Sequence, residues 1–251
     1  MPLTSYIFLS AAQKRLLHAG RGIFVFHKVA DSPPQTRDPF EFVSPSEFGR
    51  KLAAVKIAGF QPVELNDFDT APAGRFIVTF DDGYSNLIRN ALPVLQQQNI
   101  RAITYLIAGK LGGRNDWDIA KGDVSETLMD EAQVRTWLAA GHKIGSHSLT
   151  HPNLRKISTA TAREEISASR KKLEDTFGIA VEHFCYPYGS YTEAIRDMVA
   201  DAGYRTASTV KHGVHLPGDS PFELKRLVPL TAGELLRKII HRAFRRCGLA
   251  R

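Results

Sequence analysis

Cysteine is almost missing from this 251-residue chain: Cys185 and Cys247 are the only two. Two thiols so far apart make no disulfide framework, and they fit a reducing compartment. Long apolar runs are missing too. No stretch approaches the roughly 20 consecutive apolar residues of a membrane span. The opening "MPLTSYIFLSAAQKRLLHAGRG" has only a short apolar segment, and its basic residues follow that segment, which is the reverse of a secretory leader. There is no internal repeat, no low-complexity segment, and one short proline-rich loop, "DSPPQTRDP" from Asp31 to Pro39. Together these absences predict a soluble, cytoplasmic protein.

Apolar residues make up 43% of the sequence, enough for one substantial core. The net charge is +7 and is uneven. From Thr231 onward, Arg237, Lys238, Arg242, Arg245, Arg246 and Arg251 face a single acid, Glu234. No nucleic-acid motif accompanies this basic tail, so no nucleic-acid partner is expected.

Strand and helix signals alternate along the chain. "GIFVFHKV" (Gly22–Val29) reads as a buried strand that brings the polar His27 to its end. A helix follows, with Ser46 as its expected cap, Phe48, Leu52 and Val55 on one face, and Gly59 as its stop. "RFIVTF" is a strand that delivers Asp81. "NLIRNALPVLQQQNI" is a helix with Pro93 near its start, and "RAITYLIAG" is a strand. A helix with Val134, Trp137 and Leu138 leads into "HKIGSH". Ala162, Ile166, Ser169, Leu173 and Phe177 mark the next helix, closed by Gly178. "VEHFCYPYG" is a strand, "TEAIRDMVADAGY" a helix capped by Gly203, and "RTASTV" a strand. Such alternation predicts a parallel sheet, either a barrel or a doubly wound layer. In those folds chemistry gathers at the C-terminal strand ends. His27, Asp81, Asp82, His147, His151 and Tyr188 all fall at such ends.

"TFDDGYSN" (Thr79–Asn86) sets two carboxylates side by side, which costs stability unless their charge is used. His147 and His151, in "SHSLTHPNL", are four apart, a spacing that lets two imidazoles share one ion. One aspartate with the two histidines makes a triad suited to Zn²⁺, Fe²⁺, Co²⁺ or Ni²⁺. Successive strand side chains point to opposite sides, so the other aspartate is left free to act as a base. Such a set can activate water for hydrolysis. The turn "YPYG" (Tyr186–Gly189) is of the kind that aims a backbone N–H at an oxyanion, and His27 is the candidate acid.

"TFDDG", "SHSLTH" and "YPYG" resemble the first three motifs of the polysaccharide deacetylase family, the NodB-homology carbohydrate esterases. The resemblance runs from about Gly22 to Pro229. It implies a single-domain α/β fold, a distorted (β/α) barrel, and removal of acetyl groups from sugars with one divalent metal. Zn²⁺ leads, with Co²⁺, Ni²⁺ and Fe²⁺ as alternatives. It implies Asp81 as the base, Asp82, His147 and His151 as the metal ligands, and the Tyr188 N–H as the oxyanion donor. Two family features differ here. Cys185 stands where many members carry an arginine before the third-motif proline. The late Leu-x-His-Asp motif is also missing, and His212 and His215 in "VKHGVH" do not supply it. "FVFHKV" instead is similar to a permuted branch that includes exopolysaccharide N-deacetylases, which maps the acid to His27. Arg226, in the expected last barrel strand "ELKRLVPL", is the candidate replacement arginine.

The expected organisation is an N-terminal extension (1–21), the barrel (22–230) and a basic amphipathic helix (231–251). The expected activity is N-deacetylation of an amino sugar in a polysaccharide, an oligosaccharide or a lipid-linked precursor. A sugar deformylase, or a hydrolase of another small C–N amide, and a non-catalytic sugar-binding protein are the alternatives. Thr231 and Glu234 have capping-box spacing, and Leu235, Leu236, Ile239, Ile240, Ala243 and Phe244 recur at helical spacing. That helix is expected either to pack its apolar stripe on the barrel or to lie on an anionic membrane, which would make the cytoplasmic protein membrane-associated.

Overall fold

Each strand of the main sheet runs parallel to its neighbours, and the sheet curls until its first and last strands meet. The computed structural model describes residues 9–246 apart from Asp69; Cys247 and Arg251 lie outside the described residues. The strands are β1 (Gly22–Phe26), β2 (Lys28–Val29), β3 (Phe42–Val43), β4 (Gln61–Pro62), β5 (Arg75–Phe80), β6 (Ala102–Leu106), β7 (Lys143–Ser146), β8 (His183–Cys185), β9 (Thr206–His212) and β10 (Leu224–Arg226). The helices are α1 (Ala11–Ala19), α2 (Pro45–Ile57), α3 (Leu92–Gln98), α4 (Asp116–Ile119), α5 (Glu131–Ala139), α6 (Thr159–Phe177), α7 (Glu193–Asp201) and α8 (Ala232–Arg246).

The sheet order is β1-β5-β6-β7-β8-β9-β10, with β4 paired to the start of β5 and β2-β3 forming a separate ribbon. A parallel bridge between Phe24 and Leu227 brings the two edges together, with Val25 N–H donating to Leu227 O at 3.1 Å and Leu227 N–H to Ile23 O at 2.7 Å. The result is the distorted (β/α) barrel that the family resemblance implies, and it decides between the barrel and the doubly wound layer that the alternation left open.

Alternation along β5 shows how the residues build the wall. Phe76, Val78 and Phe80 point outward under the helices, where Phe80 meets Trp137 of α5 edge-on at 5.9 Å. Ile77 points inward, where it meets Ile23, Ile103, Tyr105, Cys185 and Leu224. Fully burying a side chain of this size contributes roughly 1.5–3 kcal/mol. Leu65 and Phe68 join the inner cluster, filling the end from which the strands start. The opposite end is left to polar groups.

Several local expectations shift. Ser44, not Ser46, caps α2, because Pro45 occupies the first helical turn and Ser44 Oγ accepts from Glu47 N–H. The segment before α3 is a wider π turn, Leu87–Ala91, so Pro93 lies inside a longer helical run, where its missing N–H is tolerated. Gly178 ends α6 in the left-handed region, as its position after Phe177 implies. The larger surprise is α8. Thr231 Oγ1 accepts from Glu234 N–H and Thr231 N–H donates to Glu234 Oε2, so the capping box forms, yet Leu236, Ile239 and Ile240 are exposed.

Candidate metal centre and active-site cleft

The C-terminal strand ends open into a cleft of about 650 Å³. β5 delivers Asp81 as its inward side chain, after which the chain turns sharply: Asp82 has φ +70° and Gly83 φ +74°. That left-handed step separates the two adjacent carboxylates. Ser148, His151 and Tyr188 also carry positive φ, so among the described residues four of the five non-glycine residues with this conformation lie at or beside the cleft. Each costs on the order of 1–3 kcal/mol and persists only where its surroundings impose it.

Asp82 Oδ1 lies 3.5 Å from His147 Nε2 and 3.5 Å from His151 Nε2. These separations are long for hydrogen bonds. His147 Nδ1–H donates to Cys185 O at 2.7 Å, which leaves Nε2 as a lone-pair donor facing Asp82. His151 Nδ1 is buried with no hydrogen-bond partner among the described residues. Burial holds both imidazoles neutral: His147 is pushed down to about 4, and His151 falls well below its ordinary value, first by burial and then because its protonation would be opposed by the neighbouring His147 ring were that charged too. Burial pushes the Asp82 carboxyl well up, and Asp81, Glu41 and Asp118 push the same way. A buried carboxylate facing two neutral imidazole nitrogens is a donor set that a divalent cation fits, since the cation offsets the carboxylate's desolvation.

Asp81 has a different environment. Arg226 holds it in a two-point grip, Nη1 to Oδ1 at 2.7 Å and Nη2 to Oδ2 at 2.8 Å, and is itself oriented by Nε donating to Thr209 O at 2.7 Å. Burial favours the neutral carboxyl, but the guanidinium outweighs it and keeps Asp81 ionised far below the usual carboxylate range. His27 Nε2 stands 3.9 Å from Asp81 Oδ2 on the solvent side. The Cys185 thiol, at 3.6 Å, is pushed well up by burial. Asp81, His147 and Cys185 also lie close enough to share an ion. With both Asp81 oxygens on Arg226 and the thiol kept protonated, that second grouping is the poorer donor set.

Tyr188 sits on the rim turn after β8, its ring 4.7 Å from His151 and beneath Lys121 Nζ at 4.6 Å. The structure thus gathers His27, Asp81, Asp82, His147, His151, Tyr188 and Arg226 around one cleft. It adds residues that the sequence reading missed. Trp117 of α4 lies 4.5 Å from His151. Lys28 is fully buried, paired to Glu41 at 3.0 Å. Glu165 of α6 accepts N–H bonds from Leu149 and Thr150 at 2.9 and 2.8 Å, holding the loop that carries both histidines. A signal for Glu165 existed: it falls between Ala162 and Ser169 on the buried stripe of α6, where an unpaired acid would be costly.

Known proteins resemble this chain to different extents. The chain superposes on the structure of IcaB from Ammonifex degensii with a TM-score of 0.74, over 89% of this chain and 97% of that one, at 21% identity, a likeness of fold. It is 23% identical over 195 residues to the poly-beta-1,6-N-acetyl-D-glucosamine N-deacetylase of Staphylococcus aureus, covering 74% of this chain and 67% of that enzyme. It is 24% identical over 151 residues to YxkH of Bacillus subtilis, of which it spans half the length. The polysaccharide deacetylase profile matches residues 69–207, a stretch that contains Asp81, Asp82, His147, His151 and Tyr188 but neither His27 nor Arg226. With more than half its length matched and the barrel in place, the chain belongs to the polysaccharide deacetylase family.

Proposed function

We propose that this chain is a metal-dependent hydrolase that removes the N-acetyl group from an amino sugar of a polysaccharide, oligosaccharide or lipid-linked glycan. One observation carries the reading. Asp82, His147 and His151 turn their donor atoms toward one point, beside an aspartate kept ionised by a buried arginine. A sugar-binding site alone has no use for that second carboxylate. The similarity to an enzyme named for poly-N-acetylglucosamine makes N-acetylglucosamine oligomers the first substrates to test.

A divalent cation held by Asp82, His147 and His151 would polarise the acetyl carbonyl and acidify a water. Asp81 takes the proton of that water as it adds to the carbonyl carbon. Arg226 keeps the Asp81 carboxylate in one orientation and ionised throughout the working pH range. The Tyr188 backbone N–H receives the developing oxyanion. His27, across Asp81 from Arg226, gives a proton to the sugar nitrogen as the C–N bond breaks, so acetate and a free amine leave.

Acetate and amine release from N-acetylated oligosaccharides, measured with added Zn²⁺, tests the reading. Acetate and amine in equal amounts are expected. Formate from an N-formyl sugar without acetate from any glycan would make the enzyme a deformylase. Sugar binding without either product would make it a binding protein.

A further inference from the structure

The last helix is docked the wrong way round for a core element. Along α8, Glu234, Lys238 and His241 fall on one face at 3.6 residues per turn. Glu234 meets Lys51 at 2.8 Å, Lys238 lies over the Phe40 ring at 5.8 Å, and His241 Nε2 donates to Arg37 O at 3.0 Å. The polar face is thus turned toward the protein. Leu236, Ile239 and Ile240 lie opposite and are 58%, 57% and 44% exposed. Ile239 also lines the active-site cleft, together with Val210 and Val228, which are exposed themselves. An exposed apolar strip therefore continues from the mouth of the cleft onto the helix. Six basic residues against one acid from Thr231 onward add a strong positive charge to the same segment.

We propose that α8 seats this protein on an anionic lipid bilayer, with Leu236, Ile239 and Ile240 entering the headgroup boundary and the cleft mouth turned toward the surface. An apolar strip in a strongly basic segment suits a surface that offers hydrocarbon and negative charge together. A second copy of this equally basic segment would repel it, which disfavours a dimer through α8.

Co-sedimentation of the full chain with vesicles tests this without using turnover, so its outcome is independent of the deacetylase reading. The probes are phosphatidylcholine vesicles with and without about a third phosphatidylglycerol. Binding is expected to the anionic vesicles only, and to weaken as salt shortens the reach of the surface potential. Leu236→Asp/Ile239→Asp/Ile240→Asp should lower the bound fraction about tenfold or more, with an unchanged circular dichroism spectrum. Arg242→Gln/Arg245→Gln/Arg246→Gln keeps the apolar strip and should also weaken anionic binding. Equal binding by wild type and both variants, or no wild-type binding to anionic vesicles at low salt, would overturn the proposal. So would a dimer in light scattering that the apolar variant dissolves while vesicles bind neither protein.

Discussion

His183 at one end of the barrel and the pair His147 and His151 at the other are treated in opposite ways. At the end where the strands start, His183 Nδ1 accepts from Thr206 Oγ1 at 3.0 Å and Nε2 donates to Asn66 Oδ1 at 2.9 Å. Both ring nitrogens are satisfied. At the end where the strands finish, His147 uses one nitrogen on a backbone carbonyl and aims the other at Asp82, while His151 Nδ1 has no partner among the described residues. The arginines differ likewise. Arg21 donates to the Phe68 and Ala71 carbonyls, tying down a loop, whereas Arg226 spends its fork on a carboxylate in the cleft. A polar group that is buried and satisfied holds the fold together. In the cleft the incomplete nitrogens face a buried carboxylate, which the unpartnered His142 Nε2 beside β7 does not.

The sharpest way to break this contrast is to remove a histidine from each end. His151→Ala should reduce metal affinity by about three orders of magnitude or more and bring acetate release to background, because two remaining ligands hold zinc poorly. His183→Leu should leave metal content and turnover in place and lower the melting temperature, since Thr206 and Asn66 each lose a partner, at about 1–3 kcal/mol per unsatisfied group. Metal analysis, acetate assay and thermal melts on both variants separate the two effects. If His183→Leu emptied the metal site, the two ends would not be independent.

Asp81→Asn tests the division of labour inside the open end. The metal should remain, and turnover should drop by about 10²–10⁴-fold, the usual contribution of a general base. Loss of metal with turnover restored by excess zinc would mean that Asp81 and Asp82 have exchanged roles. A smaller effect is expected at Glu165, which touches neither metal nor substrate. Glu165→Gln weakens the acceptor that holds the Leu149 and Thr150 N–H groups, and metal affinity should fall about 10–100-fold with kcat preserved at saturating metal. Equal loss of kcat at saturating metal would assign Glu165 a role in the chemistry itself.

Much of this was legible in the chain, for identifiable reasons. The Asp81–Asp82 pair with His147 and His151 stands out because these residue types and spacings are expensive without a ligand, and the family resemblance implies which aspartate ligates. The parallel α/β sheet follows from alternating strand and helix periods, whereas its closure into a barrel is implied by the family resemblance. Other features were hidden. Nothing in the letters of Asp82, Ser148, His151 or Tyr188 announces a left-handed backbone, because only tertiary contacts impose it on residues other than glycine. The short helix carrying Trp117 is too brief to show a period. The apolar stripe of α8 shows amphipathicity plainly, but periodicity does not say which face turns inward. Here the capping acid and two polar residues find partners on the protein, and Leu236, Ile239 and Ile240 remain exposed.

The smallest expected effect is a pH dependence at the closed end. Burial lowers the His183 pKa to about 4, from an ordinary value near 6.5. The folded state therefore disfavours the charged ring. Its stabilising contribution is complete above about pH 6.5 and is lost as pH falls toward 4. Melting temperature should decline across that window, and His183→Leu should flatten part of the decline. A variant with the wild-type slope would place the titration elsewhere.

Whether a metal completes the open end is the central question for this protein. Titrating chelator-treated protein with Zn²⁺ while following acetate release from N-acetylglucosamine oligomers tests that directly. Activity should rise in proportion to bound zinc and saturate at one ion per chain, and Asp82→Ala should neither bind the ion nor turn over. Full acetate release by the metal-free protein, or by Asp82→Ala, would contradict it.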